Sequence, residues 1–383
     1  MNLYYFTLGW TIYLTYFLYS IGKPFFFRKK LNSKLEIDTD LYPFVSIIVP
    51  VRDEELNIEK CLNSLVLQSY PYDRFEIIVV DDHSTDKTAE ITKTFNRVEI
   101  ISAGPLPNGW CGKNNACFKG ANHAKGDWFL FIDADTTANP YLLKSSITYA
   151  TSSKLDLLSL VPFQQLVSKA ERMFLPGIFT LLAGSMDFQK INNPKSPEAL
   201  GNGQYMLFNR ESYEKIGGHQ TVRNEIMEDI ALSKLVKKNG LSYHWLFGEK
   251  LAQTRMYKDF SSIWEGFSKN MSEIVEASNI FSMALKTIKS LSLAWIPIVL
   301  IFTLYYGNYS PALGNEYYIL QALIIGGLTS MVLTNFMVVI ELNIPPYYGV
   351  FYPIGFTLQA ILILVSFYKR KTGTRQWKGR TYS

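Results

Sequence analysis

The run Phe129-Leu130-Phe131-Ile132-Asp133-Ala134-Asp135 decides the fold class. Four apolar residues are too few for a helix, and they close on two carboxylates one residue apart, which reads as a short buried strand ending in a polar loop. Three similar runs precede it, at residues 44–49, 75–80 and 98–101. Helical spacing fills the gaps, over residues 58–67, from Ser84-Thr85-Asp86 as N-caps towards Phe95, and over residues 114–124. Strands separated by helices of this length predict an α/β domain with a mostly parallel sheet covered on both faces. Such sheets bind ligands at the carboxyl ends of their strands.

The polar residues after each strand are therefore the candidates for chemistry. Asp133 and Asp135 are hard oxygen ligands that can share Mg²⁺ or Mn²⁺, which would bridge to a substrate diphosphate. A turn at Asp135, with Thr136 and Thr137 capping the helix after Pro140, would use the same residues structurally. Pro50-Val51-Arg52-Asp53-Glu54-Glu55 closes the first strand and Val80-Asp81-Asp82-His83-Ser84-Thr85-Asp86 the second. A carboxylate at a strand end can accept hydrogen bonds from a nucleobase imide or a ribose hydroxyl. Helix capping accounts for Ser84, Thr85 and Asp86 but not for the paired Asp81 and Asp82 ahead of them.

Gly109-Trp110-Cys111-Gly112-Lys113-Asn114 leads into a helix, where Lys113 would offer a point charge to phosphate beside backbone donors. It lacks the spacing of a Walker loop. Glu228 and Asp229 open a predicted helix that starts near Glu225 and runs to Lys238. The helix dipole favours acids there, at about 0.3–1 kcal/mol each, but such a carboxylate can also be a general base towards an acceptor hydroxyl. Gly201-Asn202-Gly203-Gln204 upstream would form a flexible wall for the acceptor. The four histidines show no metal spacing, and Cys61, Cys111 and Cys117 form neither a disulfide framework nor a zinc pattern.

The 383 residues are 48% hydrophobic and 19% charged, which excludes disorder and fibrous repeats. Charge is absent from residues 1–22, 290–315, 317–340 and 342–368. A membrane-crossing helix needs about 20 apolar residues, so these runs predict spans. The first lacks a basic n-region and an A-x-A-like cleavage site, which favours an anchor over a signal peptide. Lys369, Arg370, Lys371, Arg375, Lys378 and Arg380 hold more than the whole net charge of +5, so no basic face suits nucleic acid. Lys23, Arg28, Lys29 and Lys30 place the following domain in the cytoplasm, and the same rule wants the basic tail inside. One C-terminal run is then re-entrant or interfacial, with Asn343-Ile344-Pro345-Pro346 marking the irregular place. The expected organisation is a membrane anchor at 1–30, a cytoplasmic domain at 43–250, an amphipathic interface segment at 258–289, a transmembrane region at 290–368 and a basic cytoplasmic tail at 369–383. Residues 165–187, apolar but interrupted by Lys169, Glu171 and Arg172, lie either on the membrane surface or against the α/β core.

Taken together, the P-V-R-D-E-E, V-D-D-H-S-T-D, D-A-D and E-D motifs, in this order and spacing, resemble those of the family 2 glycosyltransferases, which have the nucleotide-sugar-binding, Rossmann-like GT-A fold. Arg255-Met256-Tyr257, Trp264-Glu265-Gly266-Phe267-Ser268-Lys269 and Trp377-Lys378-Gly379-Arg380-Thr381-Tyr382-Ser383 look like the membrane-bound branch of diaponeurosporenoate (carotenoid) and hopanoid-associated glycosyltransferases. The resemblance implies a nucleotide-sugar donor and a lipid acceptor in the membrane. Asp82 would hold the uracil or ribose, Asp133 and Asp135 the metal–diphosphate, and Asp229 would be the base of an inverting displacement. Pro50, Arg52, Glu54, Asp81, Lys113, Glu228, Trp377 and Arg380 would line the substrates. The Q-x-x-R-W motif of processive synthases is not matched by Gln376-Trp377-Lys378-Gly379-Arg380. A polyprenyl-phosphate sugar or other glycolipid synthase, and a membrane scaffold whose α/β domain only binds nucleotide, are the other readings.

Overall fold

The structure, a computed structural model, describes residues 2–31, 42–184, 186–306, 315–377 and 380–382. It divides into an α/β unit, Arg28–Gln165 with Phe188–Met256, and a helical unit, Met1–Phe27 with Leu166–Asp187 and Tyr257–Ser383. Helix α1 (Asn2–Phe27) opens the chain. Then β1 (Val45–Val51), α2 (Ile58–Val66), β2 (Phe75–Asp81), α3 (Thr88–Lys93), β3 (Val98–Ser102), α4 (Gly112–His123) and β4 (Trp128–Phe131) alternate as the periodicity predicts. They are followed by β5 (Thr136–Ala138), α5 (Leu142–Ser152), β6 (Leu157–Val161) and β7 (Phe163–Gln164). After α6 (Lys169–Ala183), in the helical unit, the α/β unit resumes with α7 (Phe188–Ile191), β8 (Met206–Asn209), α8 (Arg210–Lys215), α9 (Gly218–Thr221), α10 (Glu228–Lys238), β9 (Tyr243–Phe247) and β10 (Ala252–Thr254).

Seven strands form the main sheet in the order β3-β2-β1-β4-β8-β6-β9, and β5-β10-β7 form a small second sheet. β1 runs parallel to β2 and β4, and β6 parallel to β9, whereas β8 is antiparallel to both β4 and β6. The sheet is thus mixed rather than uniformly parallel. Ile47, Ile48 and Val49 of β1 have no exposed surface, so both faces of the strand are covered; each such side chain contributes about 1.5–3 kcal/mol. Strand order reverses between β1 and β4, and that switch point is where an open α/β sheet leaves a crevice at its carboxyl edge. The register puts Val51 opposite Asp81, so the loops after β1 and β2 leave the sheet at the same level.

Two local expectations are corrected. Ser84 and Thr85 do not cap α3; Lys87 is its N-cap without a side-chain bond, and of the three only Asp86 serves the helix, accepting from Thr88 N–H at 2.9 Å. Thr136 and Thr137 do not cap a helix either; they pair with β10 as part of β5. At Ser84, Thr85, Thr136 and Thr137 hydrogen bonds to a neighbouring loop or strand win over local capping, while Asp86 makes both kinds of bond.

The helical unit consists of α1, α6, α11 (Phe260–Ile274), α12 (Ile280–Tyr306), α13 (Asn315–Glu341), a 3-10 turn at Pro346–Phe351 and α14 (Tyr352–Thr372), with the short strands β11 (Arg375–Trp377) and β12 (Arg380–Tyr382). Ser168 and Glu171 close a capping box at the start of α6, and Asp259 caps α11. Among the described residues, three stretches are long and apolar enough to cross a membrane: Ile280–Thr303, Tyr317–Glu341 and Pro346–Thr372. Residues 280–289 therefore begin the α12 helix instead of continuing the amphipathic α11. Residues 166–187, ambiguous in sequence, pack within the helical unit through α6, where Gly177 lies against Gly355 of α14.

Candidate active site

Four loops converge on the carboxyl edge of β1, β2 and β4. The first two are laced together. The Asp53 backbone N–H donates to Ser84 Oγ at 3.1 Å, Thr85 N–H donates to Asp53 Oδ1 at 2.8 Å, and Glu55 N–H donates to Asp86 Oδ2 at 2.9 Å. Asp53 and His83 take positive φ, of 52° and 61°, at the two tight turns. The expected caps are therefore clamps that hold one binding loop against the other.

Within this frame Asp82 is buried, 3% exposed, and its carbonyl accepts from Arg52 at 3.1 Å. Arg52 also lies 4.0 Å from the Asp82 carboxylate, and His83 Nδ1 is 3.4 Å from it. Asp81 instead accepts from Ser84 N–H at 3.1 Å and shapes the turn. Pro50 sits within β1 opposite Val80. Glu54 is anchored by Asn57, which donates to its Oε2 at 2.7 Å. The Trp377 and Arg380 backbones pair across β11 and β12, in the other unit; their side chains lie outside the described residues.

The centre of the site is Lys113, in the first turn of α4. Its ammonium is 2.8 Å from Asp133 Oδ1 and 2.9 Å from Glu228 Oε1. The two carboxylates raise the lysine well above its usual range even though burial opposes the charge. Burial would raise Glu228, but the Lys113 ammonium holds it below the ordinary value. Asp133 is raised because burial, with Glu228 and Glu54 nearby, outweighs the ammonium. Asp135 is pushed up to about 7, first by burial and then by Asp133 and Glu54. Asp229 rises to about 6 through burial and the adjacent Glu228.

Asp229 is held from both oxygens. Gly203 N–H donates to Oδ2 at 2.9 Å and Ile230 N–H to Oδ1 at 2.8 Å. Helix α10 starts at Glu228, three residues later than the sequence suggests, so the pair occupies its first turn. The Gly201–Gln204 segment is not a loose wall. A Cβ on Gly201 would stand 2.2 Å from the Asp229 backbone, and one on Gly203 2.8 Å from Lys113 Nζ and 3.2 Å from Glu228 Oε1. Glycine at both positions is what allows this backbone to touch the charged cluster.

Sequence reasoning overlooked two supports. Asn114 donates to the carbonyls of Val222 at 2.8 Å, Arg223 at 3.3 Å and Glu225 at 2.9 Å, tying α4 to the segment that leads into Glu228. Only its place beside Lys113 hinted at this. Thr254 bonds Asp135 and accepts from Gln204 at 3.3 Å, a contact made across β10 that no local spacing reveals.

The donor set fits a hard divalent cation. Asp133 and Glu228 share the Lys113 ammonium, and Asp133 and Asp135 are raised first by burial and then by neighbouring acids, Glu228 and Glu54 on the one and Asp133 and Glu54 on the other. Mg²⁺ is commonly held by one or two carboxylates, with phosphate and water completing its shell. Among the described residues no group of three or more His, Cys, Asp or Glu stands together so as to hold a metal ion by itself.

The fold is of the GT-A type. Residues 46–217 match the model of the family described as Glycosyl transferase family 2. It is 31% identical over 233 residues to a 4,4'-diaponeurosporenoate glycosyltransferase of Staphylococcus haemolyticus, covering 59% of this chain and 60% of the relative. It is 29% identical over 236 residues to the Staphylococcus aureus protein of the same name, covering 60% of each. These alignments span about 60% of the curated relatives' length. A mannosyltransferase from Pyrobaculum calidifontis, solved with GDP-Man and Mn2+, shares the fold with a TM-score of 0.52 and 15% identity, over 97% of this chain and 98% of that one.

Proposed function

We propose that this chain is an inverting, metal-dependent glycosyltransferase that moves a sugar from a nucleotide diphosphate to a lipid in the membrane. The observation that carries the reading is Asp229, a half-buried carboxyl pushed up to about 6, beside the Lys113–Asp133–Glu228 cluster at the switch point of the sheet. A general base works best with a pKa near the working pH, and an ordinary surface aspartate would be too weak. The names of the staphylococcal relatives support an apolar, carotenoid-like body for the acceptor, although diaponeurosporenoate itself offers a carboxylate as nucleophile.

Asp82, with Arg52 fixing its loop, would receive the base or ribose of the donor. Asp133 and Asp135 would hold Mg²⁺ or Mn²⁺, which supplies charge neutralisation at the diphosphate when bound. Lys113 adds a second positive charge to the leaving group. The acceptor hydroxyl loses its proton to an Asp229 oxygen as its own oxygen bonds the anomeric carbon. The bond from that carbon to the diphosphate breaks in the same displacement, so configuration inverts and nucleoside diphosphate departs. Gly203 and Ile230 N–H keep the Asp229 carboxylate oriented for this transfer. An acceptor that is already a carboxylate or phosphate would need no base, so the raised Asp229 favours a hydroxyl.

The long apolar helices support a multi-pass protein of the cell membrane. The basic residues Lys23, Arg28, Lys29 and Lys30 support a cytoplasmic α/β unit. The test uses detergent-purified protein with Mn²⁺ and a panel of nucleotide sugars, with and without total lipid extract. Lipid-stimulated release of one nucleoside diphosphate is expected. No release with any donor from a folded sample would leave the nucleotide-binding scaffold as the better reading.

A further inference from the structure

Hydropathy treats the three C-terminal apolar helices alike, but their packing does not. Helix α14 runs antiparallel to the first half of α12. Near its end, Arg370 donates to the carbonyls of Ala277 at 2.6 Å and Ser278 at 3.2 Å, just ahead of α12. Near its start, Thr357 accepts from Trp295 Nε1 at 3.0 Å. Lys369 Nζ and Ser366 Oγ meet Ser268 and Ser272 of α11, at 2.8 and 3.1 Å. The part of α12 beside α14 therefore includes Lys286 and Lys289, residues that belong at a membrane surface.

Depth follows from helix rise. Trp295 is six residues past Lys289, and Tyr352 is five residues before Thr357. At 1.5 Å per residue α14 reaches roughly 16 Å beyond the level of Lys289, about half of a ~30 Å hydrocarbon core. Its chain also arrives from the near side. Val339 at the end of α13, together with Ile344 and Tyr348 after it, belongs to the same hydrophobic cluster as Ile263, Phe267 and Met271 of α11. Leu358, Leu362 and Ile363 of α14 lie in that cluster too. Helix α1 behaves differently. Trp10 and Leu14 pack on Gly327 in the middle of α13, while Phe17 lies 5.6 Å from the Lys289 ammonium. It thus follows α13 from mid-membrane to the same basic level.

We infer that α14, although long and apolar enough to span, is a re-entrant helix seated in one leaflet of the bilayer, and that the chain crosses the membrane three times, through α12, α13 and α1, which is less apolar but carries no charge over residues 1–22. Its outward side chains Ile354 and Ile361 meet lipid tails, and Leu364 and Tyr368 lie at the headgroup level. An odd number of crossings brings Lys369, Arg370 and Lys371 to the same side as Arg28, Lys29 and Lys30, as the positive-inside rule requires. Four crossings would export the basic tail. This inference rests on the multi-pass orientation proposed above.

The test is accessibility of single cysteines in the full chain. Cys61, Cys111 and Cys117 are buried and give little background. Leu67→Cys on the α/β unit, Ser310→Cys between α12 and α13, and Thr374→Cys after α14 are treated with a membrane-impermeant maleimide in sealed right-side-out vesicles. Labelling of Ser310→Cys alone, with the other two reacting only after detergent, is expected. Labelling of Thr374→Cys with Leu67→Cys protected would overturn the re-entrant helix and leave the proposed orientation intact. Labelling of Leu67→Cys would overturn the orientation itself. If a cysteine variant fails to insert, alkaline phosphatase fused after Ser383 replaces it: an inactive fusion is expected, and an active one refutes the inference.

Discussion

Replacing Asp229 by asparagine separates what the carboxyl does for catalysis from what it does to stability. Its pKa of about 6 lies some two units above the ordinary 3.8, equivalent to about 3 kcal/mol of unfavourable charge in the folded state. Asparagine removes that charge but has one acceptor oxygen. Either Gly203 N–H or Ile230 N–H then loses its partner, at about 1–3 kcal/mol. The second cost does not depend on pH, so it cancels when the variant is compared with the parent at two pH values. A carboxyl raised in the folded state makes the parent lose stability as pH climbs from 3.8 through 6, and little changes above that. The variant gains on the parent over the same window, by about 1.4 kcal/mol between pH 5 and 7.5. Thermal unfolding in detergent at these two pH values measures it. Turnover should fall by about 10²–10⁴, and the decline of the parent's kcat/KM below pH 6 should be absent from any residual activity. A stability difference that stays flat with pH would refute the burial argument. Full activity in the variant would refute the base assignment.

Other perturbations reach different parts of the cluster. Gly203→Ala places a methyl 2.8 Å from Lys113 Nζ and 3.2 Å from Glu228 Oε1; turnover should drop at least about tenfold, roughly 1.4 kcal/mol, with circular dichroism unchanged. Lys113→Met should weaken nucleoside diphosphate binding by calorimetry, again by about tenfold or more, because two positive charges on the leaving group become one. Asn114→Ala unties three carbonyls ahead of α10; kcat should fall while nucleotide affinity stays the same. Chelation of divalent ions should abolish turnover and added Mn²⁺ restore it, and activity that survives chelation would remove the role given to Asp133 and Asp135.

How much was legible in sequence differs from part to part. The first four strands and the helices between them follow from short β-branched runs and helical spacing, because one face or both of each element is buried locally. The antiparallel β8 is different: Met206–Asn209 sits between β4 and β6 through pairings more than 45 residues distant in sequence, which no local period encodes. At the site, carboxylates at strand ends were readable as candidates from residue type and position. Their protonation was not, since it depends on Lys113 bridging Asp133 and Glu228 across the fold. The capping expected of Ser84 and Thr85 was misread for the same reason, and Asp86 does more than its expected capping. A hydroxyl or carboxylate beside a helix can serve that helix or a loop next to it, and only the register of β1 with β2 brings Asp53 and Glu55 within reach.

The insertion of α6 between β7 and β8 has a practical side. The main sheet is not finished when Gln165 is made; β8, its link between β4 and β6, is synthesised only after the apolar stretch of Leu166–Asp187. A truncation at residues 43–250, chosen to obtain a soluble enzyme, would carry that stretch without the helices that cover Leu175, Ile178 and Leu181. It would present a sticky surface to every other copy in the cell and precipitate. A crystallisable fragment calls for excising residues 166–187 and splicing a short polar linker in their place, so that the sheet closes without dragging membrane anchorage along.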